Sequence, residues 1–491
     1  MSRDLRTWIA KLEAEGELKR IKAPVNWDGE IAEIQRKALE DGGPALIFEN
    51  IKDHENTWCR KLFVGGLIKS KYFALMLGLP KDTPRPDVIQ LLRKRFKEPI
   101  EPKRVATGPI KENIVKGKDV DLYQIPAPKW HPLDGGRYIN SWLGVVTRDP
   151  DDGTYNAGQY RGMIVSKDKI SVYLIPAQGW GAHFSKYQRM KKPMPVALVF
   201  GWDPSLGFTA ALPLSNINEY QAMGSIMQEP VPLIKCETNE LEVPASAEIV
   251  VEGTISPDPN TFEMEGPFGE ANGLYSRPEK RPVIKVDCIT YRNDPIFRGS
   301  LAGVGMVTED MQCFFMGQPA IMMNTMELQG IPGVLDIVPM PIVVVKIRKM
   351  YQGQPRQIAA ALWGSKLAVN MAKIVMVVEE EVDINNPRAL FGAMLSRIDP
   401  EKSIVVYPLN MGSSGDPARA LEDGVDLKYG SGIGSKLLID ATLDWTTHPV
   451  REEWGGRRLP PSPTHHFTEA AELVKKRWQE YGFPEVSPSK K

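Results

Sequence analysis

The sequence lacks any apolar run long enough to cross a membrane. A stretch of about 18 or more uncharged apolar residues marks a membrane helix, and no part of this chain meets that requirement. Residues 1–20 also lack the apolar segment of a secretion signal, because charged residues recur throughout them. We therefore expect a soluble protein of the cytoplasm with no membrane partner.

Cysteine and histidine are scarce and form no familiar metal or catalytic motif. The four cysteines are Cys59, Cys236, Cys288 and Cys313, and no C-x-x-C pair occurs among them. The six histidines form no H-x-x-x-H pair, and the chain contains no G-x-S-x-G. These absences argue against a cysteine–zinc site, a hydrolytic zinc centre and an α/β-hydrolase nucleophile. Scattered thiols are typical of a reducing compartment.

Neither sign of charge is in excess. Lys and Arg together number 61, as do Asp and Glu, so the formal net charge is zero. A nucleic-acid-binding protein normally carries a basic excess, and we therefore expect no nucleic-acid partner. Hydrophobic residues make up 42% and charged residues 25% of the chain. Both values are typical of globular proteins and exclude wholesale disorder.

The length of the chain predicts more than one domain. A single hydrophobic core stops growing near about 250–300 residues, and this chain has 491. Shifts in composition place boundaries near residues 110 and 310, which gives an N-terminal region (1–110), a central region (111–310) and a C-terminal region (311–491). The 42 glycines and 41 prolines indicate many turns, so we expect a mixed α/β (α+β) multidomain fold.

Each region has its own pattern of apolar residues. Residues 5–12 have helical spacing. In the central region, strand-like segments such as 283–291 alternate with turns, which predicts an antiparallel sheet or barrel. In the last region, apolar segments at 341–347 and 374–378 flank a helical segment at 357–370, which predicts an α/β layer.

Residues 263–270 carry three carboxylates around a Gly-Pro-Phe-Gly turn. Glycine and proline shape the path of the backbone, so Glu265 and Glu270 can be held on one rigid loop. Two carboxylates that converge in a partly dry site raise the pKa of one of them, which keeps a general acid protonated near neutrality. The alternative is an acidic turn at the surface, which is the commoner case for such a segment.

Residues 155–163 place Arg161 at the entry to an apolar strand, after an amide side chain and a turn of small residues. An arginine in that position can bind a carboxylate through two parallel hydrogen bonds. The alternative is an ion pair at the surface. Neither this segment nor the acidic loop identifies a function by itself.

Together, the two segments resemble those of the UbiD family of (de)carboxylases. Asn156-x-x-x-Tyr160-Arg161 is followed, much later, by Glu265-Gly-Pro-Phe-Gly-Glu270. A glutamate at Glu270 is similar to the ferulate and hydroxyarylic-acid branches, whereas members from the ubiquinone pathway usually have aspartate there. Further similar segments run through most of the chain, at 75–80, 244–253, 291–296 and 435–442.

This resemblance implies a fold, a cofactor and an activity. The implied fold is a central split β-barrel that binds flavin, flanked by N-terminal and C-terminal α/β regions, the latter serving in oligomerisation. The implied cofactor is prenylated FMN, supplied by a flavin prenyltransferase and bound through its phosphate to a divalent metal, Mn²⁺, and to K⁺. The implied activity is reversible, non-oxidative decarboxylation of a small aromatic, heteroaromatic or α,β-unsaturated acid by a homodimer or homohexamer, with the cofactor as electron sink.

The resemblance also implies a role for particular residues of this chain. Arg161 is expected to hold the substrate carboxylate, Glu265 to orient Arg161, and Glu270 to donate a proton to carbon. General-acid help of this kind is worth about 10²–10⁴-fold in rate. The positions expected to line the substrate pocket are Ile175, Gln178, Ala271, Val369, Asn370 and Leu409.

Cofactor-binding residues are carried over in the same way. Asn156 and Glu219 match two of the metal ligands, and Lys366 matches the lysine that reaches the cofactor phosphate. Arg161 also belongs to this set. The other positions expected to contact the cofactor are Ala157, Gly158, Gln159, Tyr160, Tyr173, Leu174, Ile175, Gln178 and Gly179.

One metal ligand of the ferulate branch does not match. That branch has a histidine directly after the glutamine, and this chain has Gly179 after Gln178. The ubiquinone-pathway branch also has glycine there. Three alternatives remain open: water fills the position, His183 one helical turn later replaces the histidine, or Lys366 and Arg161 provide most of the phosphate anchorage.

Two other functions compete with the decarboxylase. The chain can be a non-catalytic or assembly subunit of a multi-subunit aromatic carboxylase, for which the unmatched histidine is the argument. It can also be an FMN reductase on a split barrel, although the sequence contains no visible nicotinamide site. Colour and CO₂ release after cofactor loading distinguish these possibilities.

Overall fold

A computed structural model describes residues 3–214, 217–366, 372–411, 433–460 and 468–483. The chain begins with α1 (Leu5–Ala14), whose four apolar residues at helical spacing are all buried, as the pattern predicts. The Asp4 side chain accepts a hydrogen bond from the backbone of Thr7 and so caps this helix. The remaining elements of this part are β1 (Leu18–Ile21), α2 (Glu30–Glu40), β2 (Ala45–Phe48), β3 (Lys61–Val64), α3 (Ser70–Met76) and α4 (Arg85–Arg95).

The central part of the chain is rich in strands. Its helices are α5 (Gly179–Met190), α6 (Ser205–Ala211) and α7 (Glu219–Met227). Its strands are β4 (Lys103–Arg104), β5 (Asn113–Lys116), β6 (Tyr138–Asn140), β7 (Gly144–Arg148), β8 (Tyr155–Gly158), β9 (Gly162–Ser166), β10 (Lys169–Val172), β11 (Met194–Phe200), β12 (Pro232–Lys235), β13 (Glu242–Pro244), β14 (Ile249–Ile255), β15 (Glu263–Glu265), β16 (Glu279–Arg281), β17 (Val283–Tyr291) and β18 (Ile296–Arg298).

Most of these strands form one antiparallel sheet, in the order β6-β9-β10-β17-β14-β11-β7-β8, with β5 paired to β17. The sheet is curled into a half-barrel. The antiparallel architecture that the alternation of strands and turns predicts is therefore confirmed. The short strands β15 and β16 form a separate hairpin. Strand β18 leaves the central sheet and pairs with β3 in a four-stranded sheet with β1 and β2.

The last part of the chain is an α/β layer, as predicted. Its five-stranded sheet has the order β19-β20-β21-β23-β22 and is parallel from β20 through β21 to β23. Its elements are α8 (Glu309–Leu328), β19 (Val334–Val338), β20 (Val343–Ile347), α9 (Gln354–Trp363), β21 (Ile374–Glu379), α10 (Pro387–Arg397), α11 (Pro400–Ser403), β22 (Ile404–Met411), β23 (Ile433–Ala441) and α12 (Thr468–Lys476).

The helix expected at 357–370 is displaced. It begins three residues earlier, with Pro355 in its first turn, and ends at Trp363 before Gly364. Proline is favourable in a first turn because the missing N–H has no partner there in any helix. The end of the predicted segment, residues 367–370, lies outside the described residues.

Two large hydrophobic cores hold these parts together. One lies inside the half-barrel and includes Trp180 and Ile284. The other joins the N-terminal helices to α8 and the C-terminal sheet, and includes Leu12, Phe208 and Val345. Among the helices described, none is long and apolar enough to cross a bilayer.

Candidate active site

Arg161 lies in the corner between β8 and β9, where its side chain meets the end of β15. Its Nε and Nη2 donate hydrogen bonds to the two carboxylate oxygens of Glu265, at 2.9 and 2.7 Å. Glu265 is fully buried and also accepts a hydrogen bond from the hydroxyl of Tyr138 at 2.9 Å. A buried, bidentate pair of this kind fixes the plane of the guanidinium.

Glu270 lies on the other side of the same guanidinium. Arg161 Nη1 donates a hydrogen bond to Glu270 Oε1, so one arginine joins both carboxylates. The side chain of Glu270 is 33% exposed, and its free surface faces a cavity. Burial raises the pKa of Glu270 above its ordinary value, against the charge of Arg161 and with the help of the Glu265 charge. A glutamate in this environment can serve as a general acid.

Two aromatic rings lie against the guanidinium of Arg161. Its central carbon lies 4.5 Å from the ring centre of Tyr173 and 5.6 Å from that of Phe268. Cation–π contacts of this kind hold a guanidinium without satisfying its hydrogen-bond donors. The N–H donors of Arg161 therefore stay directed at Glu265, at Glu270 and at a ligand in the neighbouring cavity.

The loop that carries Glu270 is held by a second loop at residues 131–135. Asp134 accepts hydrogen bonds from the backbone N–H of Gly269 at 3.0 Å and of His131 at 2.9 Å. The backbone N–H of Gly135 donates to the carbonyl of Pro267 at 2.9 Å. Asp134 is only 4% exposed. Its buried carboxylate therefore holds Gly269, the residue directly before Glu270.

A cavity of about 290 Å³ extends from Glu270 to the start of α7 and contains the expected phosphate-binding groups. Glu219, which is 7% exposed, accepts a hydrogen bond from the backbone N–H of Ala157 at 3.1 Å. Burial raises the pKa of Glu219, and the nearby charge of Lys366 opposes this shift. Lys366 donates to the carbonyl of Leu214 at 3.0 Å and lines the same cavity. This pairing suits a phosphate bound through a metal.

Gly179 lies directly against Asn156 in this cavity. A Cβ atom at residue 179 would overlap Asn156 Oδ1. That oxygen accepts a hydrogen bond from the hydroxyl of Tyr160 at 3.3 Å, while the buried Nδ2 has no partner among the described residues. A half-turn of the amide exchanges its oxygen and nitrogen. In that orientation the oxygen of Asn156 is available to bind a metal ion. The absence of a side chain at Gly179 leaves space for Asn156.

His183, one alternative to the unmatched histidine, has other partners in this structure. Its Nδ1 lies 2.9 Å from the hydroxyl of Thr147, and its Nε2 lies 3.7 Å from a carboxylate oxygen of Asp149. Within the described ranges, no group of three or more His, Cys, Asp or Glu side chains is arranged to hold a metal. No third metal ligand is therefore identified among the described residues.

A larger cavity of about 700 Å³ lies between the half-barrel and the C-terminal sheet. Its lining includes residues that the sequence assigns to the cofactor and the substrate: Gln159, Tyr160, Arg161, Tyr173, Ile175, Gln178, Glu270 and Ala271. The opposite wall, which the sequence did not predict, is mostly apolar and comes from Met311, Phe314 and residues 339–343 and 372–374.

Some predicted site residues do not reach these cavities. Leu174 packs against the half-barrel core. Leu409 is 82% exposed on the edge strand β22, where the pairing with β23 is irregular, and it lines none of these cavities. Ala157 takes part through its backbone N–H only. Val369 and Asn370 lie outside the described residues.

Four polar residues at the site were not predicted from the sequence: Asp134, Tyr138, Asn140 and Asp310. A signal existed for Asp134, because an aspartate before two glycines is typical of a tight turn. Tyr138 and Asn140 lie in a short strand, and their polar groups cannot be located from alternation alone. Asp310 lies in the first turn of α8. An acidic residue is common there because it interacts favourably with the helix dipole, so its presence does not indicate a site.

Comparison with known proteins identifies the family. Three domain models match: the N-terminal domain (9–92), Rift-related domain (103–305) and C-terminal domain (323–441) of 3-octaprenyl-4-hydroxybenzoate carboxy-lyase, UbiD. An uncharacterised protein of Aquifex aeolicus is 31% identical over 92% of this chain and 94% of its own length.

Solved structures agree with these matches. The closed form of vanillic acid decarboxylase from Sedimentibacter hydroxybenzoicus has a TM-score of 0.85 and 29% identity, covering 98% of this chain and 99% of its own. An evolved dimeric form of the UbiD-class enzyme HmfF from Pelotomaculum thermopropionicum, in complex with prFMN, has a TM-score of 0.75 and 26% identity, covering 96% and 100%. The chain therefore belongs to the UbiD family of carboxy-lyases.

Proposed function

We propose that this protein is a decarboxylase that uses prenylated FMN to remove CO₂, reversibly, from an aromatic, heteroaromatic or α,β-unsaturated acid. The observation that carries the proposal is the bridge from Glu265 through Arg161 to Glu270 at the wall of a cavity that also reaches Lys366. Loss of CO₂ from an sp² carbon leaves a negative charge on that carbon that the substrate does not stabilise. The bound cofactor would supply an electron sink for this charge.

Arg161 binds the substrate carboxylate in this proposal. Its guanidinium is held on one edge by Glu265 and flanked by the rings of Tyr173 and Phe268. A guanidinium fixed in this way positions the carboxylate without reorganising during the reaction. Because Glu265 is fully buried, its charge keeps Arg161 in place rather than contacting the substrate.

Glu270 supplies the proton. The bond between the ring or alkene carbon and the carboxylate breaks, CO₂ leaves, and the proton on Glu270 moves to that carbon. The raised pKa of Glu270, caused first by burial, favours the protonated form that this step needs. In the reverse direction, the Glu270 carboxylate removes the proton and CO₂ adds to the carbon.

Cofactor binding in this proposal falls to the residues around the 290 Å³ cavity. Asn156 and Glu219 hold the divalent metal, with Mn²⁺ as the expected ion, and Lys366 contacts the phosphate. The spare amide group of Asn156 and the buried carboxylate of Glu219 support this assignment. Mn²⁺, K⁺, a flavin prenyltransferase as cofactor supplier and a homodimeric or homohexameric state rest on the family resemblance.

The 700 Å³ cavity supports a planar substrate with few charges. Its far wall is mostly apolar, with Phe314 and Ile342 among its members, and amides from Gln159, Gln178 and Asn272 supply polar contacts. An apolar pocket with a few polar groups is typical of sites for small aromatic ligands. The small side chain of Ala271 leaves room beside Glu270 for a substituted ring.

The packing at residue 179 argues against the non-catalytic subunit. A side chain at this position would overlap Asn156, so glycine at residue 179 is part of the packing around Asn156 rather than the loss of a ligand. Arg161, Glu270 and Lys366 line the cavities, and the buried Glu265 holds Arg161 in place. A purely structural subunit has no need to keep this arrangement.

The decisive experiment is purification after co-expression with a flavin prenyltransferase, followed by a screen of aromatic and unsaturated acids. We expect a coloured protein that contains flavin and metal and releases CO₂ from at least one acid. Protein expressed without the prenyltransferase is the control and should release none. A colourless, metal-free protein from the co-expression would contradict the proposal and favour the assembly subunit.

A further inference from the structure

Each turnover of the proposed decarboxylation consumes one proton. The substrate binds as a carboxylate and brings none, so the proton that leaves Glu270 for carbon must be replaced before the next turnover. The partner of the Glu270 carboxylate, Arg161, cannot supply it, since a guanidinium stays charged in proteins. While substrate or product fills the large cavity, water can reach Glu270 from the two smaller cavities that this residue also lines.

A second carboxyl group lines both of these smaller cavities. Asp310, in the first turn of α8, lines the 290 Å³ cavity and a further cavity of about 150 Å³, and Glu270 lines both. Asp310 and Glu270 thus share the lining of two cavities, and an ionised Asp310 adds to the raised pKa of Glu270. Oδ1 of Asp310 is buried and has no hydrogen-bond partner in the part of the chain that the structure describes.

The 150 Å³ cavity is lined by a second side chain whose polar atoms have no partner in the described part of the chain, that of Asn140. Asn140, which is 1% exposed, has neither its Oδ1 nor its Nδ2 paired with any described residue. Ser141 and Ser300 also line this cavity, as does Arg161. Buried polar atoms without protein partners are normally satisfied by ordered water, and the cavity has room for several molecules at about 30 Å³ each.

We propose that Asp310 resupplies protons to Glu270 through water held in the 150 Å³ cavity. This inference rests on the proposed function. Protonated Asp310 gives its proton to a cavity water, which passes one of its own to the Glu270 carboxylate. The Asp310 carboxylate then takes a proton from water that exchanges with solvent. In this step Asp310 acts through Glu270 and not on the substrate, so it is a positioning residue for the proton and not a catalytic one.

The charges around Asp310 are consistent with this role. Burial raises the pKa of Asp310, while hydrogen bonding from Thr308 opposes the shift. The adjacent Glu309 forms a buried pair with Arg298, and the charge of Glu309 adds to the raised pKa of Asp310. Glu270 and its partner Arg161 line the 150 Å³ cavity together with Asp310. Asp310 is therefore the carboxyl group of this helix turn that can hold and release a proton.

The first test compares Asp310→Asn with Asp287→Asn in the cofactor-loaded enzyme. Asp287 is a partly buried carboxyl on β17 that lines none of the three cavities, so it controls for removing such a group elsewhere. For D310N we expect kcat to fall about tenfold or more, a substantial part of the 10²–10⁴-fold effect of general acid–base catalysis. KM should be unchanged and the solvent deuterium isotope effect on kcat larger, whereas D287N should match the wild type. Wild-type turnover and isotope effect in D310N would overturn the relay.

Asp310→Glu checks that the carboxyl group, and not the helix end, matters. It should keep most of the turnover that D310N loses, with an altered pH dependence of kcat. Should D310N fail to fold, by circular dichroism, D310E still decides: turnover and pH dependence both identical to the wild type would overturn the relay, because a moved carboxyl must alter the proton path.

The unloaded protein gives a readout that does not depend on activity. An ordinary aspartate loses its proton as pH rises through a pKa near 3.9. In the infrared difference spectrum between wild type and D310N, recorded over a range of pH, the carbonyl stretch of a protonated carboxyl group should persist to higher pH than in an ordinary aspartate, and a crystal structure should contain waters at Asn140 and Asp310. A dry cavity or a missing band would overturn the relay. Failure of the loaded wild type to release CO₂ would instead overturn the proposed function.

Discussion

Arg161 and Glu265, 104 residues apart in sequence, form a two-pronged hydrogen-bonded pair with donor–acceptor distances of 2.9 and 2.7 Å. The third donor of the guanidinium reaches Glu270. One side chain therefore ties a fully buried carboxylate to one that faces a cavity. The arrangement separates two tasks, since Glu265 can only orient Arg161 whereas Glu270 can reach a ligand.

Glu265→Gln should be costly for both stability and activity. It leaves a largely buried guanidinium with one carboxylate instead of two, and breaking a buried pair costs about 3–5 kcal/mol. We expect the free energy of unfolding to fall by about 3 kcal/mol and kcat/KM to fall about a hundredfold, measured by urea denaturation and CO₂ release.

Glu263→Gln is the matched control for that change. It lies in the same strand β15, and its ion pair with Lys169 is solvent-exposed on both sides. An exposed pair is worth about 0–1 kcal/mol, so stability and turnover should stay close to the wild type. Equal losses in the two variants would show that Glu265 has no special role.

Turnover should depend on pH through Glu270. Its pKa is raised above the ordinary value of 4.5, first by burial, with Arg161 opposing and Glu265 assisting. Because the protonated form donates, kcat for decarboxylation should be highest at low pH and fall as pH rises through this pKa. The folded state also binds this proton more tightly than the unfolded chain, so the stabilising contribution of Glu270 is lost over the same rise. A kcat that increases with pH across that range would contradict the assignment.

Gly179→Ala should disturb cofactor binding without unfolding the protein. The new Cβ would overlap Asn156 Oδ1 and displace the side chain that we assign to the metal. We expect at least a tenfold weaker retention of flavin and metal after gel filtration, in line with the effect of disturbing groups around a metal site, about 10–100-fold. Gly392→Ala on α10 is the control, because a Cβ there has no atom within 4 Å, and it should retain both.

Asp134→Asn should loosen the loop that carries Glu270. The carboxylate accepts hydrogen bonds from the backbones of His131 and Gly269, and an amide can accept at only one of its two atoms. An unsatisfied buried donor costs about 1–3 kcal/mol, so the free energy of unfolding should fall by that amount, and kcat should fall more than KM changes. Unaltered kcat in a destabilised variant would mean that the loop does not position Glu270.

The sequence predicted the fold well wherever local pattern decides it. Helical spacing located α1, and the strand expected at 283–291 matches β17. The helix expected at 357–370 was misplaced because an apolar period continues past the point where Gly364 ends the helix. A pattern of apolar residues indicates which face of a helix is buried. It does not indicate at which residue the last backbone hydrogen bond of the helix forms.

The site could not be predicted from local pattern at all. Arg161 and Glu265 come together because β8, β9 and β15 meet at one corner of the half-barrel, and no short-range signal specifies that meeting. The resemblance to a known family supplied the pair. It did not supply Asn140 or Asp310, because a polar residue in a short strand or a first helical turn looks the same whether or not it faces a cavity.

Glu270→Gln in the cofactor-loaded protein tests the central claim most directly, with CO₂ release and the flavin absorption spectrum measured on the same sample. Glutamine keeps the size of the side chain but has no proton to donate to carbon. We expect the variant to keep its flavin spectrum and to lose turnover by about 10²–10⁴-fold, while Glu263→Gln stays active. Full turnover by a flavin-loaded Glu270→Gln variant would contradict it.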